Sequence, residues 1–194
     1  MHQHAQEPET AVDGAQPFGR LHEVGGRRLM VHRSGSGGPT VVFVAGASAV
    51  GLDYLNLHNQ VSEFTTSVLY DRAGTGWSDE VELPRTATEV ADELRSLLRA
   101  VGVPAPYLLV GHSLGGAYAR RFAQLFPDEV AGLLLLEPSH DDWDAYMPEQ
   151  LQLRKHMGEQ EQPMPELTEE LLREVRGLYS RMFADVRGVA GPGP

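Results

Sequence analysis

Between Tyr107 and Phe122 the chain leaves one kind of segment and enters another with almost no room to turn. The apolar run Tyr107-Leu108-Leu109-Val110 reads as a strand, and Gly116-Ala117-Tyr118-Ala119-Arg120-Arg121-Phe122 reads as a helix. Only Gly111-His112-Ser113-Leu114-Gly115 lies between them. A bend that sharp holds its central serine in a strained backbone conformation. Glycines two before and two after it keep side chains off the neighbouring strand and helix. G-x-S-x-G alone is a loose pattern, but flanked by a strand and a helix it is a narrow one. It lifts the Ser113 hydroxyl above the edge of a sheet, over a helix N-terminus that favours negative charge.

The rest of the chain supplies that sheet. Residues 20–24 and 27–33 alternate on either side of Gly25-Gly26, a hairpin signal. Residues 40–45 form a continuous β-branched and aromatic run of the kind buried on both faces. Residues 52–64 read as a helix, 65–70 as a strand and 71–78 as a long turn. After Pro84, Thr86 and Glu89 make a capping box, and Val90, Leu94, Leu97, Leu98 and Val101 form one apolar stripe. Gly102 stands where a helix C′ residue belongs. The helix after Ser113 runs to about Phe126, and residues 130–136 are a further buried strand. Strands alternating with helices predict an α/β fold, a doubly wound and mostly parallel sheet of about six strands.

A length of 194 residues suits one domain with a real core. Sixteen basic against 27 acidic side chains, a net charge of −11, disfavour nucleic acid and anionic membrane as partners. No apolar run approaches membrane-spanning length and no secretory segment opens the chain, so a cytoplasmic location is expected. The absence of cysteine excludes disulfides, a thiolate nucleophile and Cys-ligated metal. Residues 1–17 are polar and aperiodic and read as a disordered leader; His2 and His4 belong to that tail rather than to a metal site. Residues 18–138 make the core. Residues 139–187 read as a helical cap segment, with Trp143, Tyr146, Met147 and Met157 followed by a face of Leu171, Leu172, Val175, Leu178, Met182 and Phe183. Residues 188–194, rich in glycine and proline, form an irregular tail.

Three motifs together resemble the α/β-hydrolase fold family in its serine-nucleophile, cap-bearing branch. They are Val44-Ala45-Gly46-Ala47 after the third strand, Asp71-Arg72-x-Gly74-x-Gly76-x-Ser78 after the fourth, and the bend at Ser113. The resemblance runs in register over about residues 20–147. It implies that Ser113 is a nucleophile and that the backbone N–H groups of Ala47 and Leu114 form an oxyanion hole. Such donors aim at charge that exists only in the tetrahedral transition state. Many members carry His-Gly in the first motif where this chain has Ala45-Gly46; the N–H geometry depends on Gly46 and Ala47. Asp71 and Arg72 are expected to shape their loop through bonds to neighbouring backbone. Gly74-x-Gly76 is no dinucleotide fingerprint, since a third glycine is missing and Pro84 separates it from the next helix. The implied activity is hydrolysis of carboxylic esters or related acyl compounds through an acyl-serine, on a small-molecule substrate and without metal or organic cofactor. A serine in place of an aspartate at the bend argues against dehalogenase and epoxide-hydrolase chemistry.

A serine needs a base, and the base needs a carboxylate. The family order is Ser, then Asp or Glu, then His, with the last two after the seventh and eighth strands; here six candidate strands are visible. Some relatives place the triad acid directly after the sixth strand, and that resemblance makes Glu137 the acid candidate. His112 is expected to point away from the serine proton, and His140 and His156 read as surface histidines rather than as the base. In the family's strand order the sixth strand is interior, so Leu133-Leu134-Leu135-Leu136 without a seventh is an unprotected edge. The pattern is that of a core lacking its C-terminal third. Two functions stay open: a serine hydrolase with triad acid and histidine missing, and a non-catalytic or truncated remnant acting as a binding module. Substrate and oligomeric state are encoded in none of these patterns.

Overall fold

A computed structural model describes residues 16–139. The leader to residue 15, the cap segment from residue 140 with His140 and His156, and the 188–194 tail lie outside the described residues.

β1 (Arg20–Val24) and β2 (Arg27–Ser34) pair antiparallel across Gly25-Gly26. Both glycines have positive φ, +59° and +81°, as the tight turn matching strand twist demands. β3 (Thr40–Val44) is buried along its whole length. A 3₁₀ turn at Gly51–Tyr54 leads into α1 (Leu55–Ser62), followed by β4 (Ser67–Tyr70). The expected single helix from residue 52 is split because Val50 and Asp53 tighten its first turn. Val50 N–H donates to Asp53 Oδ2 at 2.9 Å, and Asp53 N–H returns to Val50 O at 3.2 Å. β4 starts two residues later than predicted, because Thr65 and Thr66 tie the preceding loop instead. Thr65 Oγ1 donates to Pro39 O at 3.0 Å and Thr66 Oγ1 to Gly37 O at 2.7 Å.

α2 (Ala87–Ala100) begins at the predicted capping box, with Glu89 N–H on Thr86 Oγ1 and Thr86 N–H on Glu89 Oε2. It ends in a Schellman motif: Gly102, at φ +64°, donates to Arg99 O and Val103 to Leu98 O. β5 (Tyr107–His112), α3 (Leu114–Leu125), a short 3₁₀ turn at Pro127–Glu129 and β6 (Val130–Leu136) complete the described chain.

The six strands lie in the order β1-β2-β4-β3-β5-β6, with β4, β3, β5 and β6 mutually parallel. Alternation along the central strands divides their side chains between two layers. Val42, Val44 and Leu109 face α2 and α3, packing with Leu94, Leu97, Leu98 and Phe122. Val41, Phe43 and Val110 face the other way, with Tyr54, Leu55 and Val61 from the α1 side. The sheet is therefore wound on both faces, as the sequence predicts. Every buried Leu or Phe here contributes about 1.5–3 kcal/mol. Parallel pairing sets the ends of β3 and β5 side by side, Val44 opposite Gly111, and the Ser113 bend follows at that end. No helix among the described residues is long and apolar enough to cross a membrane.

Candidate active site

Ser113 joins β5 to α3 with φ +51° and ψ −121°, a conformation that a side-chain-bearing residue keeps only when its surroundings over-determine it. Strain of that kind costs about 1–3 kcal/mol. Three backbone bonds hold the bend: Ser113 N–H donates to Leu136 O at 3.0 Å, while Ser113 O accepts from Gly116 at 3.0 Å and from Ser139 at 2.9 Å. The exit of β6 thus wraps the serine peptide. The glycines are required by space. A Cβ on Gly111 would stand 2.7 Å from Gly116 Cα, and one on Gly115 only 2.0 Å from Val44 O. Gly116, which the sequence motif does not single out, is needed too, since its Cβ would meet Pro138 Cβ at 2.5 Å.

Ser113 itself is half-buried. Leu114 is buried and opens α3, so its N–H has no carbonyl four residues back within the helix. Ala47 lies exposed in the loop after β3. That loop and the bend are neighbours: a Cβ on Gly46 would come 3.4 Å from Ser113 Cβ and 3.3 Å from His112 Nδ1. The structure therefore brings Ser113, Leu114 and the Gly46-Ala47 loop together. Glu137 stands directly after β6, exposed and with φ +44°. His112 Nδ1 lies 2.7 Å from the Tyr54 hydroxyl, turned toward the β3 loop as its place in the bend requires.

Asp71 and Arg72 follow β4 and are both buried. Asp71 accepts from Gly51 N–H at 2.7 Å and from Trp77 N–H at 2.9 Å. Gly76 makes room for this carboxylate; a Cβ there would fall 2.1 Å from Asp71 Oδ2. The guanidinium of Arg72 reaches the β3 loop and donates to the carbonyls of Ala45, Gly46 and Ala47 at 2.8, 2.6 and 2.7 Å. The expected tie between this charge pair and backbone is thus present, and its target is the loop that carries Ala47.

One member of the site left no local trace in the sequence. Tyr54, on the 3₁₀ turn before α1, accepts from Gly46 N–H at 3.4 Å while its hydroxyl contacts His112. Burial raises the Tyr54 pKa above its ordinary value, with the Gly46 N–H opposing part of that rise. A separate cleft of about 620 Å³, lined by Arg27, Glu82, Glu89 and Asp92 among others, includes none of these residues.

A mostly parallel sheet whose central strand delivers a strained serine to a helix N-terminus is the arrangement by which α/β folds present a nucleophile. The chain belongs to the alpha/beta hydrolase family, whose model matches residues 41–192. Among its relatives is the uncharacterized protein YqjL of Bacillus subtilis (strain 168). The two are 35% identical over 122 residues, which is 62% of this chain and 48% of YqjL. Est816, a solved structure described as an N-acyl homoserine lactone degrading enzyme, shares the fold. Its TM-score is 0.60 at 24% identity, over 68% of this chain and 49% of that one. The epoxide hydrolase CorEH superposes with a TM-score of 0.57 at 25% identity, over 61% of this chain and 41% of its own. The chain spans about half the length of these relatives, or less.

Proposed function

We propose that this chain carries the nucleophile and oxyanion hole of a hydrolase acting on carboxylic esters or related acyl compounds. The observation that carries the proposal is the strained Ser113 bend, packed against the Gly46-Ala47 loop and opening a helix. In the reaction, Ser113 Oγ bonds to the acyl carbon as its proton passes to a base. The carbonyl oxygen becomes an oxyanion and accepts from the N–H groups of Ala47 and Leu114. Collapse of the tetrahedral intermediate breaks the bond to the leaving oxygen, which takes the proton back from the base and departs as the alcohol. The acyl-serine left behind is hydrolysed by water. Serine at this position favours an acyl intermediate over the alkyl intermediate that an aspartate forms, even though epoxide hydrolases share the fold. Glu137 is the acid candidate by its place after β6. The substrate is a small acyl compound, and the proposed location is the cytoplasm.

A non-catalytic binding role is the second reading, and one observation favours it. Among the described residues the histidines are His22 and His32 in β1 and β2, His58 in α1 and His112. None is set as a base for Ser113: His58 contacts Ser67, and His112 directs Nδ1 to Tyr54.

An alkyl fluorophosphonate distinguishes the two, because only an activated serine displaces its fluoride. Intact-mass and peptide mapping of the labelled chain are expected to give one adduct, on the peptide containing Ser113, and none in Ser113→Ala. A folded chain that takes no label supports the binding role instead.

A further inference from the structure

We infer that Arg72 aims and polarises the oxyanion donor of Ala47, with Tyr54 bracing the same loop from the side of the bend; this rests on the acyl-serine reading above. Arg72 is only 7% exposed, and the hydrogen bonds of its guanidinium all end on three consecutive carbonyls, those of Ala45, Gly46 and Ala47. The middle one matters most. Gly46 C=O and Ala47 N–H belong to one planar peptide unit and point in opposite directions across it. A cation held 2.6 Å from the oxygen therefore fixes where the N–H points. It also draws electron density through the amide, which makes the N–H a stronger donor. The flanking bonds to Ala45 and Ala47 stop that peptide plane from rocking. Arg72 is itself seated against α3, its guanidinium carbon 5.6 Å from the Tyr118 ring centroid. The loop is thus referenced to the helix whose first N–H is the other donor.

Tyr54 works from the opposite side. Its hydroxyl accepts from Gly46 N–H at 3.4 Å and lies 2.7 Å from Nδ1 of His112, the residue immediately before Ser113. One hydroxyl therefore couples the loop carrying the donor to the strand carrying the nucleophile. A preorganised donor is valuable because it needs no rearrangement when charge appears. The hydrogen bonds of Arg72 and Tyr54 go to the loop and to His112, none to Ser113; the two are positioning residues.

Fluorophosphonate labelling measured over a concentration series separates the half-saturating concentration from the maximal rate. Tyr54→Phe and Arg72→Gln are each expected to lower the maximal rate about ten- to a hundredfold and leave the half-saturating concentration unchanged. Arg72→Lys, which keeps the charge and loses the fork, falls between wild type and Arg72→Gln. Unchanged maximal rates in folded variants overturn the inference. If Arg72 variants do not fold, Tyr54→Phe decides it by the same rate. A second readout is independent of labelling. The amide ¹⁵N resonance of Ala47 reports the bond to Gly46 O and is expected to move upfield in Arg72→Gln, while β5 resonances stay in place. A wild-type chain that takes no label overturns the acyl-serine reading; the Ala47 resonance then stands as the separate test, and its failure to move overturns the polarisation.

Discussion

His58 is wholly buried beneath the sheet, its Nδ1 2.7 Å from Ser67 Oγ and its ring centroid 4.9 Å from that of His32. Burial first, and the charge of His32 second, hold its pKa at about 4, below the ordinary 6.5. The folded state thus refuses a proton that the unfolded chain accepts between those two values. Stability is complete above pH 6.5, declines as pH falls toward 4, and levels off below, with a loss of about 3 kcal/mol. Urea midpoints at pH 7 and pH 4.5 measure the loss. His58→Gln is expected to flatten the difference, and an unchanged difference in that variant would assign the effect elsewhere. Residues at the site differ in how readable they are from sequence. The bend at Ser113 is legible because the strand and helix around it fix it. The Arg72 tie to backbone is legible only through the family resemblance, as is the donor role proposed for Leu114. Tyr54 is not, since its partner His112 lies 58 positions away and only the placement of one 3₁₀ turn brings them together.

Among elements, the bend between β5 and α3 has the least tolerance, and its glycines divide into two kinds. Gly115 is excluded from any side chain by backbone, with Val44 O 2.0 Å and Ala45 O 2.6 Å from an added Cβ. Neither carbonyl can yield without moving β3. Gly115→Ala is therefore expected to cost about 3 kcal/mol or more. Gly102, at φ +64° with open space around it, sets the contrast. Gly102→Ala is expected to cost about 1 kcal/mol, from backbone conformation alone. Urea denaturation of the two variants side by side checks the ranking, and equal costs would contradict the packing explanation. Element boundaries follow the same division between local and distant causes. The capping box and Gly102 mark both ends of α2 in the sequence itself. The late start of β4 depends on Thr65 and Thr66 bonding a loop some thirty residues earlier, which no local pattern reveals.

For the whole molecule, the described sheet is closed on the α2–α3 and α1 faces but not at β6. Among the described strands β6 pairs with β5 alone, and Leu133 and Leu134 are 38% and 49% exposed. Exposed leucines on a sheet edge invite pairing with another chain. The chain is expected to self-associate as its concentration rises, and Leu134→Lys to shift it toward monomer with little change in thermal stability. Sedimentation velocity over a concentration series measures this; a wild-type chain monomeric throughout would contradict it. The fold class is legible at this scale because apolar runs alternate with an amphipathic helix and a glycine bend, which leaves few topologies. Substrate choice is not, because loops and pocket walls carry it and their contacts are non-local. The site can be tested most directly by the crystal structure of the phosphonylated chain. Ser113 Oγ is expected to carry phosphorus, with one phosphonyl oxygen about 2.9 Å from the backbone nitrogens of both Ala47 and Leu114. A phosphonyl oxygen turned to solvent, or an adduct on any other residue, would contradict the proposed site.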